Sequence, residues 1–319
     1  MYSLDINKNS SIDIFSNWTS NKEIILDSDG RHVLPELSKF PLDIKCYNFP
    51  WSYRLIHSYH DFFEIMYIFQ GDGNFYIENK PYNVRVGDVC IIGSNRLHLL
   101  EALPQKETKI ISIFFTPETI YHFGLDNLAF EYLHPFYIHD FQALNVIPAH
   151  TQQSLMIFNL IKEMYMEFLN RKKYYQLAIK NLLCTILLII ARYYSNLKSF
   201  DKNLICEMNV VHRLKNVFSF IQNHFDEHIT NLQLSKIASM SPAYLCRFFK
   251  KATGMTLSDY ILRCRIEKAK ELLILDDLSV SQIAFQVGFE SLNYFDRVFK
   301  KLVYSTPQEF RQSYLLQSY

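Results

Sequence analysis

The stretch Leu278–Arg311, LSVSQIAFQVGFESLNYFDRVFKKLVYSTPQEFR, decides how the chain is read. Ser279, followed three residues later by Gln282, makes a capping-box start, and Ile283, Ala284 and Val287 continue as a helical apolar stripe. Gly288 supplies a turn. Ser291 stands where it can cap a second helix, in which Leu292, Phe295, Val298, Phe299 and Leu302 fall on one face. Asn293, Asp296, Arg297 and Lys300 point elsewhere, and Thr306-Pro307 brings the helix to a stop. An apolar face backed by amide and basic residues suits a helix that lies in a DNA groove. Taken alone, the same pattern also fits a plain helical hairpin with a solvated face.

A second copy changes that balance. Thr230–Met240 is a capped helix and turn, and Ser241-Pro242 opens another helix as N-cap and first residue, running AYLCRFFKKATG to a terminating Gly254. Leu234-Ser235 aligns with Ile283-Ala284, and Phe249-Lys250-Lys251 with Phe299-Lys300-Lys301, at an offset of 49 to 50 residues. Between the copies, Thr256–Asp259 caps a long helix over Tyr260–Leu275. Two helix-turn-helix units on a stiff connector can address successive major grooves, whose centres lie about 34 Å apart.

Composition adds bounds. The chain has 319 residues and is 49% hydrophobic, enough to bury the cores of two or three domains. Net charge is only +1, but residues 205–319 carry 14 Lys/Arg against 11 Asp/Glu, so the basic excess sits with the repeat. Six cysteines, at 46, 90, 184, 206, 246 and 264, lack CxxC or zinc-like spacing and read as reduced thiols of a cytoplasmic protein. The N-terminus has no secretory pattern. The most apolar run, Leu182–Ala191, is ten residues long, too short to span a bilayer, so no membrane partner is expected.

Residues 1–23 are polar and read as a flexible arm. From there to about Thr116 the text is β: Leu42–Phe49, Tyr53–His57, Glu64–Phe69, Asn74–Glu78, Tyr82–Val86, Val89–Ile92 and Lys109–Phe115, broken by Gly71-Asp72-Gly73, Asn79-Lys80-Pro81 and Gly87-Asp88. Short strands at this spacing point to a sandwich or small barrel. Residues 117–150, interrupted by Pro117, Pro135 and Pro148, read as a crossover with a late strand or two, and His122, His134, His139 and His150 there show no metal-like spacing. Helices follow over Thr151–Asn170 and Tyr174–Ser195, joined by Arg171-Lys172-Lys173 and followed by a linker at Asn196–Asn203. The second is apolar on more than one face, which requires burial within the chain or against a twin copy.

Two resemblances attach to these residues. His60-Asp61-Phe62-Phe63-Glu64, Gly71-Asp72-Gly73, Gly87-Asp88 and His98 resemble the two motifs of the cupin barrel over residues 45–116. Metal-binding cupins supply two histidines and a glutamate from the first motif and a third histidine from the second. Here Ser58 replaces one histidine, while Gly93 and Asn95 replace the usual Pro and Gly. The barrel therefore reads as a pocket for a small polar molecule, with Trp51, Tyr53, His60, Glu64, Tyr76 and His98 as candidate lining and no metal or other cofactor assigned. Two imidazoles and a carboxylate still form a conceivable ligand set.

Residues 205–319 resemble the DNA-binding domain of the AraC/XylS family through IA…GFESLNYFDRVFKK…TP…FR, MSPAYLCRFFKK and RIEKAKELL. Ser239 and Tyr304 stand where that family usually has glycine; each costs about 1 kcal/mol if left-handed. The resemblance implies a multi-domain α+β chain: an arm (1–23), a cupin-like effector-sensing barrel (24–150), a helical linker and dimerisation region (151–198) and an all-α DNA-binding domain (205–319) with motifs at about 230–253 and 279–302. It implies base reading by Ala243, Cys246, Arg247, Leu292, Asn293, Asp296 and Arg297. Ser241, Lys250, Lys251, Ser291, Lys300 and Lys301 are placed for phosphate, and Phe248, Phe249, Phe295, Phe299 and Ile283 for the core. The implied protein is a cytoplasmic, dimeric, sequence-specific regulator that binds double-stranded DNA and RNA polymerase. Activation of a metabolic operon is the expected outcome, with a sugar the first effector class. The alternatives are a regulator with a purely structural barrel and a metal-dependent cupin enzyme fused to a helical domain.

Overall fold

The strand β3 (Phe63–Gln70) explains the architecture of the N-terminal half, because six consecutive residues of it are buried. A half-exposed strand alternates apolar and polar residues, whereas one covered on both faces reads as a continuous apolar run. Met66 and Ile68 point into a core with Tyr47, Phe49, Phe62, Phe75, Ile92, Leu100, Ile110 and Phe114. Phe63, on the opposite face, meets Phe136 at 5.1 Å and Tyr137 at 5.8 Å between ring centres.

The computed structural model describes residues 15, 18–20, 24–38, 40–50, 57–104, 107–116, 118–121, 126–137, 145–197, 202–253, 255–275 and 278–317. The chain divides into two compact units, Met1–Met208 and Asn209–Tyr319.

In the first unit, β1 (Trp18–Ser20), β2 (Leu42–Pro50), β3, β4 (Gly73–Ile77), β5 (Lys80–Val84), β6 (Val89–Ile92), β7 (His98–Ala102), β8 (Glu107–Phe115) and β9 (Val146–Ile147) form two sheets. The orders are β1-β2-β8-β3-β6-β9 and β5-β4-β7. The hairpin β4–β5 pairs Ile77 with Lys80, and its two turn residues Glu78 and Asn79 both have positive φ, the geometry that matches strand twist. The turn therefore sits one residue before the expected Asn79–Pro81.

Two sequence expectations change, and a third falls mostly outside the described residues. The strand β7 was not anticipated; its HLLEA text is short and unremarkable until β4 pairs with it. The expected strand Tyr53–His57 lies mostly outside the described residues. The arm is engaged at its end: Trp18–Ser20 pairs in parallel with Cys46–Asn48, and Phe15 is fully buried against Phe69, Phe158 and Tyr165. Single aromatic anchors in polar text give no periodic signal.

The crossover contains helices, α1 (Glu118–Tyr121) and α2 (Asp126–Tyr137), as well as β9. Pro135 lies inside α2 and cannot donate to Glu131, four residues back. The His134 ring supplies that missing donor, Nδ1–H reaching the Glu131 carbonyl at 2.9 Å. Then come α3 (Gln152–Asn170), capped by Thr151, and α4 (Tyr175–Leu197). At 23 residues α4 exceeds the ten-residue run and is long and apolar enough to cross a membrane, yet Ile179, Leu183, Ile186, Leu187, Ile190 and Tyr194 are buried and the helix packs on α2 and α3. A core helix is the simpler account.

The second unit continues from α5 (Lys202–His224) into α6 (Asn231–Ala238), α7 (Pro242–Thr253), α8 (Leu257–Leu275), α9 (Val280–Gln286), α10 (Leu292–Val303) and α11 (Pro307–Gln317). The repeat is exact in its closures. Thr230 and Ser279 each form a capping box with the Gln three residues on. Helix α6 ends with Met240 N–H donating to the Ser235 carbonyl, and α9 with Phe289 N–H donating to Ala284, the six-to-one bond of a Schellman motif. Ser239 and Gly288 hold the left-handed position. At 1.5 Å per residue, α8 is a connector about 28 Å long.

Candidate DNA-binding surface and barrel pocket

Helix α10 buries Phe295, Val298 and Phe299 in a cluster with Ile266, Ala269, Leu273, Ile283 and Ala284, and so presents its other face to solvent. Asn293, Asp296, Arg297, Lys300 and Lys301 are all exposed there. On α7, Leu245 and Phe249 are buried while Ala243, Arg247 and Lys250 are exposed and Cys246 is half-buried. The side chain of Lys251, and Gly254, lie outside the described residues.

The cations of these helices differ from those of the connector. Lys268 pairs with Glu271 at 2.9 Å and Lys270 with Glu267 at 2.8 Å. Among the described residues, Arg247, Lys250, Lys300 and Lys301 have no carboxylate within 4 Å, and Arg297 lies over the Tyr294 ring at 5.2 Å. Unpaired surface cations retain their full attraction for phosphate.

Several candidates shift. Leu292 is half-buried and packs against the core cluster, so it contributes apolar contact within the unit. Phe248, expected in the core, is half-buried and stacks parallel to Tyr244 at 5.9 Å. Ser241 caps α7 through the Tyr244 N–H at 3.3 Å, whereas Ser291 occupies the N-cap of α10 without a side-chain capping bond. Asp296 makes no ion pair with Arg297 among the described residues.

Two residues were missed by sequence reasoning. Tyr244 and Tyr294 hold the same place in the two repeats, three residues after Ser241 and Ser291, and are 43% and 40% exposed. The Ser-x-x-Tyr recurrence was the available signal. The Tyr294 ring lies under the Arg297 guanidinium, and the Tyr244 ring stacks on Phe248.

In the barrel, His60, Glu64 and His98 come together, their ligand-type atoms all within 4.8 Å of one another. His60 Nδ1–H donates to the Phe62 carbonyl at 2.8 Å, and His98 Nδ1–H to the Arg96 carbonyl at 2.8 Å. Their Nε2 atoms lie 3.1 Å and 3.6 Å from Glu64 Oε2. Glu64 Oε1 accepts the Ser112 hydroxyl at 2.6 Å. Backbone bonds between Ser58 and His98, 2.9 and 3.1 Å, tie the two motif segments together. Asn95 takes the left-handed conformation at a position where a glycine was expected, and its N–H reaches the His60 carbonyl at 2.6 Å.

Glu64 and His98 border a cavity of about 60 Å³ lined also by His32, Ser58, Phe75 and Phe114, among others, whereas His60, expected in the lining, is fully buried and outside it. His32 was not foreseen; it follows no motif and arrives through its backbone bond to Tyr59. Burial pushes the pKa of His32, His60 and His98 down to about 4 each, so all three rings are neutral at pH 7. Tyr76 is not part of the lining: its hydroxyl points to exposed Glu101, while the neighbouring Phe75 faces inward, as alternation along β4 requires. Trp51 and Tyr53 lie outside the described residues. The described cysteines are free, with Cys46 and Cys90 buried.

Comparison with known proteins follows the same division. The AraC-like ligand binding domain matches residues 47–187, and a helix-turn-helix domain matches residues 234–313. The uncharacterized HTH-type transcriptional regulator YdeC of Bacillus subtilis is 24% identical over 91% of this chain and 99% of its own length. The HTH-type transcriptional activator RhaS of an Enterobacter species is 26% identical over 80% of this chain and 86% of its own. The C-terminal domain of the response regulator yesN from Fusobacterium nucleatum is 41% identical, covering 30% of this chain and 93% of that one, with a TM-score of 0.28.

Proposed function

Since the chain belongs to the AraC family of DNA-binding transcription regulators and carries that family's ligand-binding domain, we propose that it is an effector-responsive activator. The observation that carries the DNA-binding half is the duplicated helix-turn-helix, whose second helices expose Arg247 and Lys250, and Arg297, Lys300 and Lys301, none with a carboxylate within 4 Å among the described residues. Arg247 and Arg297, with Asn293, are its base readers, because a guanidinium spans guanine O6 and N7 and an amide spans adenine N6 and N7. Lys250, Lys251, Lys300 and Lys301 fix register on phosphate.

Activation is supported by relatives that are themselves named activators. The operon is metabolic, with carbohydrate use the first class to assay, a choice that rests on resemblance. The barrel holds a compact polar effector, and its occupancy biases contact with RNA polymerase. A homodimer forms through α3 and α4, whose Leu155, Met156, Met166, Leu169 and Leu177 are exposed apolar side chains. The domain limits proposed are those read from the sequence, amended so that Phe15 and Trp18–Ser20 belong to the barrel, and the protein works in the cytoplasm.

The test is fluorescence anisotropy of the purified full chain on its own upstream DNA and on a shuffled duplex at one salt concentration. A preference of about 10³-fold or more supports the proposal. Equal affinity for the two duplexes would overturn it.

A further inference from the structure

We propose that Tyr294 is a positioning residue for DNA recognition: with Arg297 as a base reader, the reading on which this rests, the Tyr294 ring holds the guanidinium ready for its base, a support that the first repeat does not give Arg247. Residues three apart on a helix are surface neighbours, and Arg297 Cζ lies over the Tyr294 ring at 5.2 Å. Among the described residues no carboxylate lies within 4 Å of Arg297, so the ring is what restrains it. An arginine rests on a ring with its planar face, while its N–H donors lie in that plane and point out from its edge. Support by tyrosine and bidentate contact with guanine therefore do not compete.

The ring is itself held. Tyr294 packs on Phe289 at 5.8 Å between ring centres, and Phe289 is buried and meets Phe295 at 5.1 Å. Arg265 Cζ lies over Phe289 at 5.7 Å, and that guanidinium is tied down by donating to the Phe225 carbonyl at 2.6 Å and the Glu227 carbonyl at 2.8 Å. The first repeat lacks these parts. Met240 closes its turn where Phe289 closes the second, and Phe248 stands where the second repeat has Val298. Tyr244 therefore finds an aromatic partner on its own helix, lying parallel to Phe248 at 5.9 Å, and among the described residues no cation lies over it. Ordering a long side chain at an interface costs affinity, and a contact already made in the free protein removes part of that cost. For a cation on an exposed ring the gain is about 2–5-fold in affinity.

The experiment measures anisotropy of the full-length protein at one salt concentration on its own upstream duplex, on a shuffled duplex and on a set of single-base-pair substitutions. The pair read by Arg297 is the one whose substitution weakens the wild-type protein but not R297A, and R247A locates the pair read by Arg247 in the same way. Y294A, and Y294L, which fills the space without a π face, should each lose about 2–5-fold on the upstream duplex, nothing on the shuffled one, and discriminate less at the Arg297 pair. Y294F should match the wild type. In an R297A background Y294A should add no further loss, because the two act as one unit. Y244A should leave discrimination at the Arg247 pair intact. Thermal melts report folding, and if Y294A is unfolded the comparison of Y294L with Y294F decides. A Y294F as weak as Y294L, a Y294A loss that persists in R297A, or equal losses on the shuffled duplex would overturn the positioning role. R297A that discriminates like the wild type overturns the reader assignment and the positioning role together. R297A that loses discrimination beside a wild-type-like Y294A overturns the positioning role and leaves the reader standing.

Discussion

Gly288→Ala tests whether the second helix-turn-helix is positioned by backbone packing. Gly288 sits at φ +89°, and a Cβ added there would lie 2.5 Å from the Asp226 carbonyl oxygen and 2.7 Å from its Cα. Neither atom belongs to a side chain that can swing away. The left-handed conformation costs an L-residue about 1–2 kcal/mol, and forcing a methyl into packed backbone about 1–3 kcal/mol more. Together these give about 2–5 kcal/mol. For a unit the size of Asn209–Tyr319, 1 kcal/mol shifts the midpoint by about 4 °C, so calorimetry of the full chain should show its transition about 8–20 °C lower. Hydrogen exchange should speed up at the amides of α9 and α10, and DNA affinity should fall as α10 loses its position. A shift under about 2 °C would mean that the Asp226 backbone moves aside freely, and the reasoning would fail.

The first repeat supplies the contrasting case, since Ser239 takes the same left-handed place at φ 52°. Ser239→Gly should stabilise the unit by up to about 1 kcal/mol, relieving αL strain at some cost in chain entropy, and a loss above 1 kcal/mol in chemical denaturation would contradict it. Arg247→Ala and Arg297→Ala should each reduce specific affinity by about 1–3 kcal/mol with little effect on random duplex, while Lys300→Ala should weaken both and flatten the salt dependence. Equal losses for all three on both duplexes, measured by anisotropy across a salt series, would refute the assignment of readers and anchors. His32, His60 and His98 are held neutral by burial with pKa near 4 against an ordinary 6.5. The unfolded chain takes up these protons first, so barrel stability is full above about pH 6.5 and falls as pH drops toward 4. An urea midpoint that is the same at pH 7.5 and pH 5 would be inconsistent with this burial.

The DNA-binding unit was the more legible half because its signals are local. Capping pairs such as Thr230–Gln233 and Ser279–Gln282 lie three residues apart, and the repeat states them twice. What escaped was set by tertiary context. Phe248, which reads as core in the helix pattern, turns out to meet Tyr244. In the barrel, the motif brought His60, Glu64 and His98 together, but the lining beside Glu64 and His98 comes from segments distant in sequence: His32, Phe75 and Phe114 carry no mark of a shared cavity. Tyr76 illustrates the limit of residue type as a guide, since the period-two alternation of β4 sends it outward and Phe75 inward. Helix α2 was hidden by Pro135, whose break is repaired by the His134 ring.

The central claim is that two equivalent helices, α7 and α10, read DNA together from one stiff unit. Hydroxyl-radical footprinting of the purified full-length protein on its own upstream region tests this directly. Each protein copy should protect two segments on one face of the duplex, about one helical turn apart, with Arg247→Ala weakening one segment first and Arg297→Ala the other. A single short footprint per bound copy, or protection no different on shuffled DNA, would contradict the account.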